Sequence, residues 1–246
     1  MKKQIIALVM AVITLLGAFS VPALAATPDT IKLDRFGFSG VTYESAGLGR
    51  CLIHQMYYDY GGKSTIGFCG TKGAKMNQSL AGQTWGNPQT ISDPTVRMMM
   101  AYYYAHSTNR FTDKAHALGV DDVWDSGYTW YMNAWVQAII WRYKAGTLSN
   151  PVTACAEELM AVYNSLEGTH FTGIDDERDG SSFRERTQYI LDLGKQGVWG
   201  NCSVQEYTFT GAASGDVQKI IIGDLDMPVT EEQYTLIVKK VDSTNP

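Results

Sequence analysis

The amino-acid sequence predicts an α+β fold, a β-sandwich or barrel-like body with an inserted helical subdomain. Segments of strand composition lie towards both ends of the chain, and segments with apolar residues at helical spacing fill its middle. The two kinds do not alternate as they would in a βαβ protein. No fixed-period repeat occurs, which sets aside a solenoid. The helical block is expected between residues of about 94 and 194.

The chain opens on a targeting segment. Met1, Lys2 and Lys3 give a short basic start, Ile5 to Phe19 is an uncharged apolar run, and Ala23-Leu24-Ala25 is a small-x-small cleavage site. This is the layout of a secretory signal peptide. The apolar run is shorter than the roughly 20 residues a spanning helix needs. Residues 1–25 are therefore expected to be removed, leaving a secreted chain that begins near Ala26 and has no membrane span.

The body follows in order. Ile31 to Phe38 and Leu52 to Tyr58 have strand composition, Gly61-Gly62 marks a turn, and Ser64 to Phe68 is the returning strand. Residues 70 to 94 are rich in Gly, Asn, Gln, Ser and Pro and predict a long loop. Pro94 suits a first helical turn, and Thr95 to His106 carries Val96, Met99, Met100 and Tyr103 at helical spacing. Tyr131 to Tyr143 places Ala134, Trp135, Ala138 and Ile139 on adjacent helical faces, with Gly146 as a stop. Pro151 to Leu166 is a third helix, followed by Gly168, and Phe183 to Leu193 a fourth, ended by Gly194. Strands return at Val204 to Thr210, Val217 to Ile222 and Tyr234 to Val241.

Composition narrows the function. An apolar content of 45% supports a real core, and the mature length allows one large domain or two small ones. A net charge of −5 without any long Lys/Arg cluster argues against nucleic acid as a partner. Cys51, Cys69, Cys155 and Cys202 contain no C-x-x-C pair, so zinc-site and thioredoxin readings are weak, and neither a metal nor a cofactor is expected. Asp175-Asp176-Glu177 with Asp179 is acidic enough to suggest calcium but lacks the EF-hand spacing, so a solvated loop is expected.

The chemistry rests on Cys69 and Gln137. Gln137 is a polar residue inside the apolar helical stretch Val136-Gln137-Ala138-Ile139-Ile140-Trp141. A lone glutamine in such a place is ordinarily a core amide satisfied by hydrogen bonds. The stretch, however, resembles the apolar-Gln-x-Ala-Ile-Trp motif of the thioester domains of Gram-positive surface adhesins. Val136, Gln137, Ile140 and Trp141 match it, and Ile139 stands at its Ala position. The family's upstream cysteine follows an aromatic residue and precedes a polar, Gly-rich loop. Phe68-Cys69-Gly70 with Thr71 to Gly86 supplies this, although Gly70 stands where the family has an apolar residue. Cys51, preceded by Arg50, is the rival.

The resemblance covers roughly Ile31 to Gly223 and implies a surface adhesin domain over residues 26–230. In such a domain the Cys69 sulfur displaces ammonia from the Gln137 amide, and the resulting thioester bonds covalently to an amine, such as a lysine, on a host or surface protein. A monomeric protein of the cell wall or surface is expected, acting once and without turnover. The aromatic rings of Trp130, Tyr131, Trp135, Trp141 and Tyr143 would exclude water from the site, although most of them are expected simply to fill the core. His106 or His116 could assist proton transfer to an amine, although a structural or exposed role is expected for each.

Residues 231–246 are expected to be a linker or the first strand of a truncated stalk domain. Leu236-Ile237-Val238-Lys239-Lys240-Val241-Asp242 resembles the opening strand of Cna-B/SpaA-type domains, whose lysine forms an isopeptide bond with a distant asparagine. An ordinary edge strand is the equal alternative. No sortase-type sorting signal lies within the 246 residues, so a fragment or truncated product is expected.

Two other functions compete. One is a secreted cysteine hydrolase or transglutaminase-like enzyme pairing Cys69 with a histidine and an orienting Asn or Asp. The other is a non-covalent binding module stapled by Cys51–Cys69 and Cys155–Cys202 disulfides. With Cys69 committed to a thioester, Cys155–Cys202 is the preferred disulfide, tying the helical block to the strands that follow, with Cys51 free and buried. Intact mass of the purified protein separates these readings. A thioester lowers it by one ammonia and two disulfides lower it by four hydrogens; a free-thiol enzyme shows neither change.

Overall fold

The computed structural model describes residues 27–107, 129–178, 180–211 and 216–226. The leader over residues 1–25, His116, Asp179, the strand expected at Tyr234 to Val241 and the stalk-like segment 231–246 lie outside the described residues, as does the side chain of Trp130. The strands are β1 (Thr30–Ser45), β2 (Gly49–Tyr60), β3 (Lys63–Cys69) and β4 (Thr84–Ile91). Helices α1 (Pro94–Ser107), α2 (Thr129–Lys144) and α3 (Pro151–Glu167) follow. A short hairpin, β5 (Glu177–Arg178) and β6 (Ser181–Ser182), leads into α4 (Phe183–Lys195), then β7 (Asn201–Phe209) and β8 (Ile220–Asp226). This is an α+β fold with the helices inserted between β4 and β7.

The large sheet closes on itself in the order β1-β2-β3-β8-β7-β4, every pair antiparallel. The β2–β3 hairpin turns through Gly61 and Gly62, both at positive φ, which a two-residue hairpin loop requires and glycine adopts without strain. Asp59 Oδ1 accepts a 2.8 Å hydrogen bond from the Gly62 N–H to close it.

The stretch from 70 to 94, expected to be one loop, contains β4 and a 3-10 turn (Gln78–Leu80). In β4 the register against β7 slips between Gly86 and Gln89, with Asn87 at positive φ and Pro88 beside it. A proline is tolerated in a strand at such a bulge, and Trp85 and Ile91 on either side are buried.

The helices start where local chemistry permits. Asp93 Oδ1 accepts from the Val96 N–H ahead of α1, and Asn150 caps α3 with Pro151 in its first turn. Ser182 and Glu185 form a capping box on α4. α2 has no polar face over most of its length. Every residue from Tyr131 to Arg142 is buried, because the helix packs against α1, α3, β2 and β3 together.

A buried ion pair holds the hairpin of β1 and β2 against this helix. Glu158 on α3 is wholly enclosed and accepts from Arg142 Nε at 2.7 Å, Ser45 Oγ at 2.8 Å, the Gly47 N–H at 3.0 Å and Tyr43 Oη at 3.3 Å. Arg142, on α2, also donates to Glu157 at 2.8 Å.

All four cysteines are free and buried, so the expected Cys155–Cys202 disulfide is not formed, nor is Cys51–Cys69. The topology explains the first of these. Cys155 is on α3, which packs on α2, α4 and β1, whereas Cys202 is on β7, covered by α1, with its sulfur beside Tyr104 and Gly223. Two carboxylates of the acidic loop have protein partners: Asp175 pairs with Arg184 of α4 at 2.6 Å, and Asp176 accepts the N–H groups of Thr172 and Gly173. No described helix is long and apolar enough to cross a membrane.

Replacing Glu158 with alanine leaves the Arg142 guanidinium buried with only the partly exposed Glu157. The expected loss is about 3–5 kcal/mol of folding stability, read by denaturant unfolding. A loss under about 1 kcal/mol, typical of an exposed pair, would show that the charge network does not hold the hairpin.

Candidate functional site

Cys69 is the last residue of β3, and its surroundings follow from how the sheet ends there. On one side β3 pairs with β8, Cys69 opposite Ile220. On the other side the ladder with β2 stops at Met56 and Gly67, while β2 itself runs on, paired to β1, as far as Gly49. Two residues further along that register, Cys69 would have His54 as its partner. The side chain of Gln137 takes the place of β2 instead. The Cys69 N–H donates to Gln137 Oε1 at 2.7 Å, and Gln137 Nε2 donates to the Cys69 carbonyl at 2.7 Å. A hydrogen-bonded pair of antiparallel residues exchanges bonds in the same reciprocal way.

The sequence places both partners with little freedom. Phe68, fully buried, sets the end of β3 by packing edge-on against Tyr103 of α1 at 5.0 Å between ring centroids. Past the cysteine the Gly70 N–H bonds the Lys219 carbonyl at 2.7 Å. A Cβ at Gly70 would lie 3.1 Å from Glu206 Oε1, Lys219 Cβ and Lys219 O, so this strand-to-strand approach favours glycine where the resembling family has a larger residue. Trp135 on α2 is anchored through its indole N–H to the Cys155 carbonyl at 2.7 Å. Tyr104 of α1 donates to the Ile66 carbonyl at 2.5 Å, and Asn133 of α2 donates to Tyr103 at 3.3 Å. These bonds fix α1 and α2 against the barrel wall that carries Cys69.

A cavity of about 270 Å³ opens over Cys69. The strand β2 contributes Arg50, Cys51, Leu52 and His54 to its wall, the segment after β3 contributes Lys72 and Met76, and α2 contributes Trp141. Leu52 is half exposed at 51% and marks the rim. Lys72 Nζ is hydrogen-bonded to the Leu48 carbonyl. Gln218 is fully engaged, accepting from the Thr71 N–H at 3.0 Å and donating to the Ala74 carbonyl at 3.0 Å.

The electrostatics are those of a dry site. Burial pushes the Cys69 thiol up to about 12. Burial is also the leading cause that raises Cys51 to about 11, against the opposing pull of Lys72. Cys51 shares the cavity but points its thiol at the Gly49 carbonyl, 3.3 Å away, and makes no hydrogen bond with Gln137.

His106 is elsewhere. Its ring lies tilted against Tyr102 at 4.4 Å and Trp199 at 5.5 Å between centroids, and burial pushes it down to about 4. It does not line the Cys69 cavity, so its place is the structural one expected of it and not that of a group assisting an amine there. His54 was not singled out in the sequence, where it is one polar residue in a strand; only the register of β2 against β3 reveals its position. Among the described residues no group of His, Cys, Asp and Glu is arranged to hold a metal ion.

The arrangement is suited to acyl chemistry. The Cys69 N–H already points at the carbonyl oxygen on which negative charge would develop if a nucleophile attacked Gln137 Cδ. The nitrogen that would leave is held by the Cys69 carbonyl. No family model matches the chain, and no curated relative matches it. One solved structure, the N-terminal thioester domain of a protein F2 like fibronectin-binding protein from Streptococcus pneumoniae, is similar at a TM-score of 0.37 and 9% identity, over 83% of this chain and 98% of that one. A likeness of that size adds no argument to the geometry.

A Gln137→Ala variant leaves Cys69 as a thiol. A rise from the ordinary 9.0 to about 12 means about a thousandfold less thiolate at neutral pH. Alkylation by iodoacetamide, mapped to the Cys69 peptide, should therefore be slow at pH 7 and still climbing near pH 11. A rate that levels off at or below neutral pH would reveal an activated thiol, the signature of a hydrolase.

Proposed function

We propose that this chain is a secreted surface-adhesin domain that carries an internal thioester between Cys69 and Gln137 and spends it on one covalent bond to an amine. The observation that carries the reading is the reciprocal pairing of the Gln137 carboxamide with the backbone of Cys69, both residues buried and Cys69 lining a cavity. A carboxamide bonded to the backbone of the cysteine is held next to that residue's thiol, and such fixed proximity is what lets an unreactive amide be attacked.

In the forming step the Cys69 sulfur bonds to Gln137 Cδ, the C–N bond breaks, and the thiol proton leaves with the nitrogen as ammonia. In the second step an amine, such as a lysine of a host or surface protein, bonds to Cδ. The C–S bond breaks, and the amine's proton restores the Cys69 thiol. The product is an isopeptide bond, and the domain does not turn over. Residues 26–230 form the domain in this reading, and residues 231–246 are a linker or the first strand of a truncated stalk domain.

The hydrolase alternative is less well supported. No hydrogen bond joins the Cys69 thiol to a histidine among the described residues, and burial raises the thiol when a catalytic cysteine would be lowered.

Cys69→Ala is expected to remove both the mass loss of one ammonia and the capture of amines, with the fold retained. Gln137→Ala, which removes the acyl carbon, should behave alike. Gln137→Glu should also stay inert, since a carboxylate is a far poorer acyl group than an amide. Methylamine should add to the wild type at Gln137, free the Cys69 thiol and block capture of protein amines. Peptide mapping by mass spectrometry checks each point; an adduct elsewhere, or one formed equally by Cys69→Ala, would overturn the mechanism.

A further inference from the structure

Among the described residues, two of the buried polar atoms that lack a hydrogen bond, His54 Nδ1 and Trp141 Nε1, belong to residues lining the cavity over Cys69. Other such atoms, among them His106 Nε2 and Thr187 Oγ1, lie away from this cavity, and leaving a buried polar atom unpaired is costly. The two atoms differ in kind. The indole N–H of Trp141 only donates, whereas an imidazole nitrogen can accept a proton.

We propose that His54 is the base that takes the proton from the incoming amine and returns it to the departing Cys69 sulfur. The inference rests on the thioester reading above. The placement follows from the sheet: His54 occupies the position on β2 that would be Cys69's ladder partner, at the point where Gln137 displaces that strand. Its ring is held edge-on to Phe36 at 5.8 Å.

The other lining groups are unsuited to the task. Arg50 and Lys72 are cations, Met76 takes no proton, and Gln218 has both ends of its amide engaged. The Cys51 thiol is raised to about 11 and is neutral at physiological pH. No carboxylate lines the cavity among the described residues, so the charged or titratable groups facing His54 there are Arg50, Lys72, Cys51 and Cys69. Burial lowers His54 below its ordinary 6.5, which keeps the imidazole neutral and ready to accept at pH 7.

The step balances. The amine nitrogen bonds to Gln137 Cδ while its proton passes to the imidazole. The C–S bond breaks, and the imidazolium protonates the thiolate, so His54 ends as it began.

The test uses the mature protein and trifluoroethylamine, a weakly basic amine that is largely free base near neutral pH. Adduct formation is followed by intact mass between about pH 4 and pH 8, a range that brackets an ordinary histidine. The wild-type rate, corrected for the free-base fraction of the amine, should rise through an inflection below 6.5. His54→Gln should keep the mass loss of one ammonia, react about a hundredfold more slowly at pH 7 or worse, and lose the inflection. Imidazole added to His54→Ala should restore part of the rate, which a purely structural role would not produce.

An unchanged rate and profile in a His54→Gln protein that retains the mass loss overturns this inference and leaves the thioester standing. A folded His54→Gln protein without the mass loss also overturns it, since His54 would then serve formation of the bond. A wild type with no mass loss removes both readings. Should His54→Gln fail to fold, the wild-type profile decides: a corrected rate that does not change with pH ends the proposal.

Discussion

A carboxamide buried inside an apolar helix must find partners for both of its ends, and that constraint organises this molecule. Gln137 sits on a helix buried from Tyr131 to Arg142, with no solvent to turn to. It finds its partners only because β2 parts from β3 beyond Gly67, leaving the N–H and carbonyl of Cys69 unpaired by the sheet. Each side supplies what the other lacks. The sheet can end its β2–β3 ladder early without orphaning the backbone of Cys69, and the helix can bury an amide without the usual penalty. The same exchange brings the amide to the cysteine.

That contact needs α2 fixed in rotation and height, and the Glu158 network bears on both. Arg142 lies five residues after Gln137 on the same helix and is gripped by Glu157 and Glu158 of α3. Glu158 in turn binds Ser45 and Gly47 at the turn between β1 and β2. One carboxylate thus ties the second helix, the third helix and the hairpin whose β2 strand walls the cavity. A buried ion pair contributes little net stability compared with apolar packing, but losing one partner is costly, which enforces a single arrangement.

Much of this plan was legible in the sequence because it was written in local patterns. The helical block falls where the spacing put it, with α1 beginning at Pro94 and α4 ending at Lys195, and Gly61-Gly62 makes the turn it suggested. Gln137 and Cys69 stood out through a resemblance of short motifs, an apolar-flanked glutamine before Ile140-Trp141 and a cysteine after an aromatic residue. What escaped was long-range. The strand β4 was hidden because Asn87 and Pro88 write a loop signal into a bulge. The Cys155–Cys202 disulfide failed because the relative placement of α3 and β7 is a matter of topology. His54 has no motif; its relevance comes from a register between strands that no local spacing reveals.

Burial of Cys69 sets a conflict that the cavity is built to resolve. An apolar enclosure protects a thioester from water. The same enclosure holds the free thiol at about 12, so the thiolate is poorly stabilised there and would be a reluctant leaving group. Opening the site to water would help the sulfur leave and would also hydrolyse the bond. A proton delivered to the sulfur as it departs avoids the choice, because a neutral thiol is the form that burial favours. The donor must gain that proton only when an amine has arrived, or the site would be charged at rest. A neutral imidazole lowered by burial meets the condition: it is unprotonated while waiting, and once protonated it is a stronger acid than an ordinary histidine. In this arrangement the desolvation that preserves the bond also makes its release depend on the attacking group.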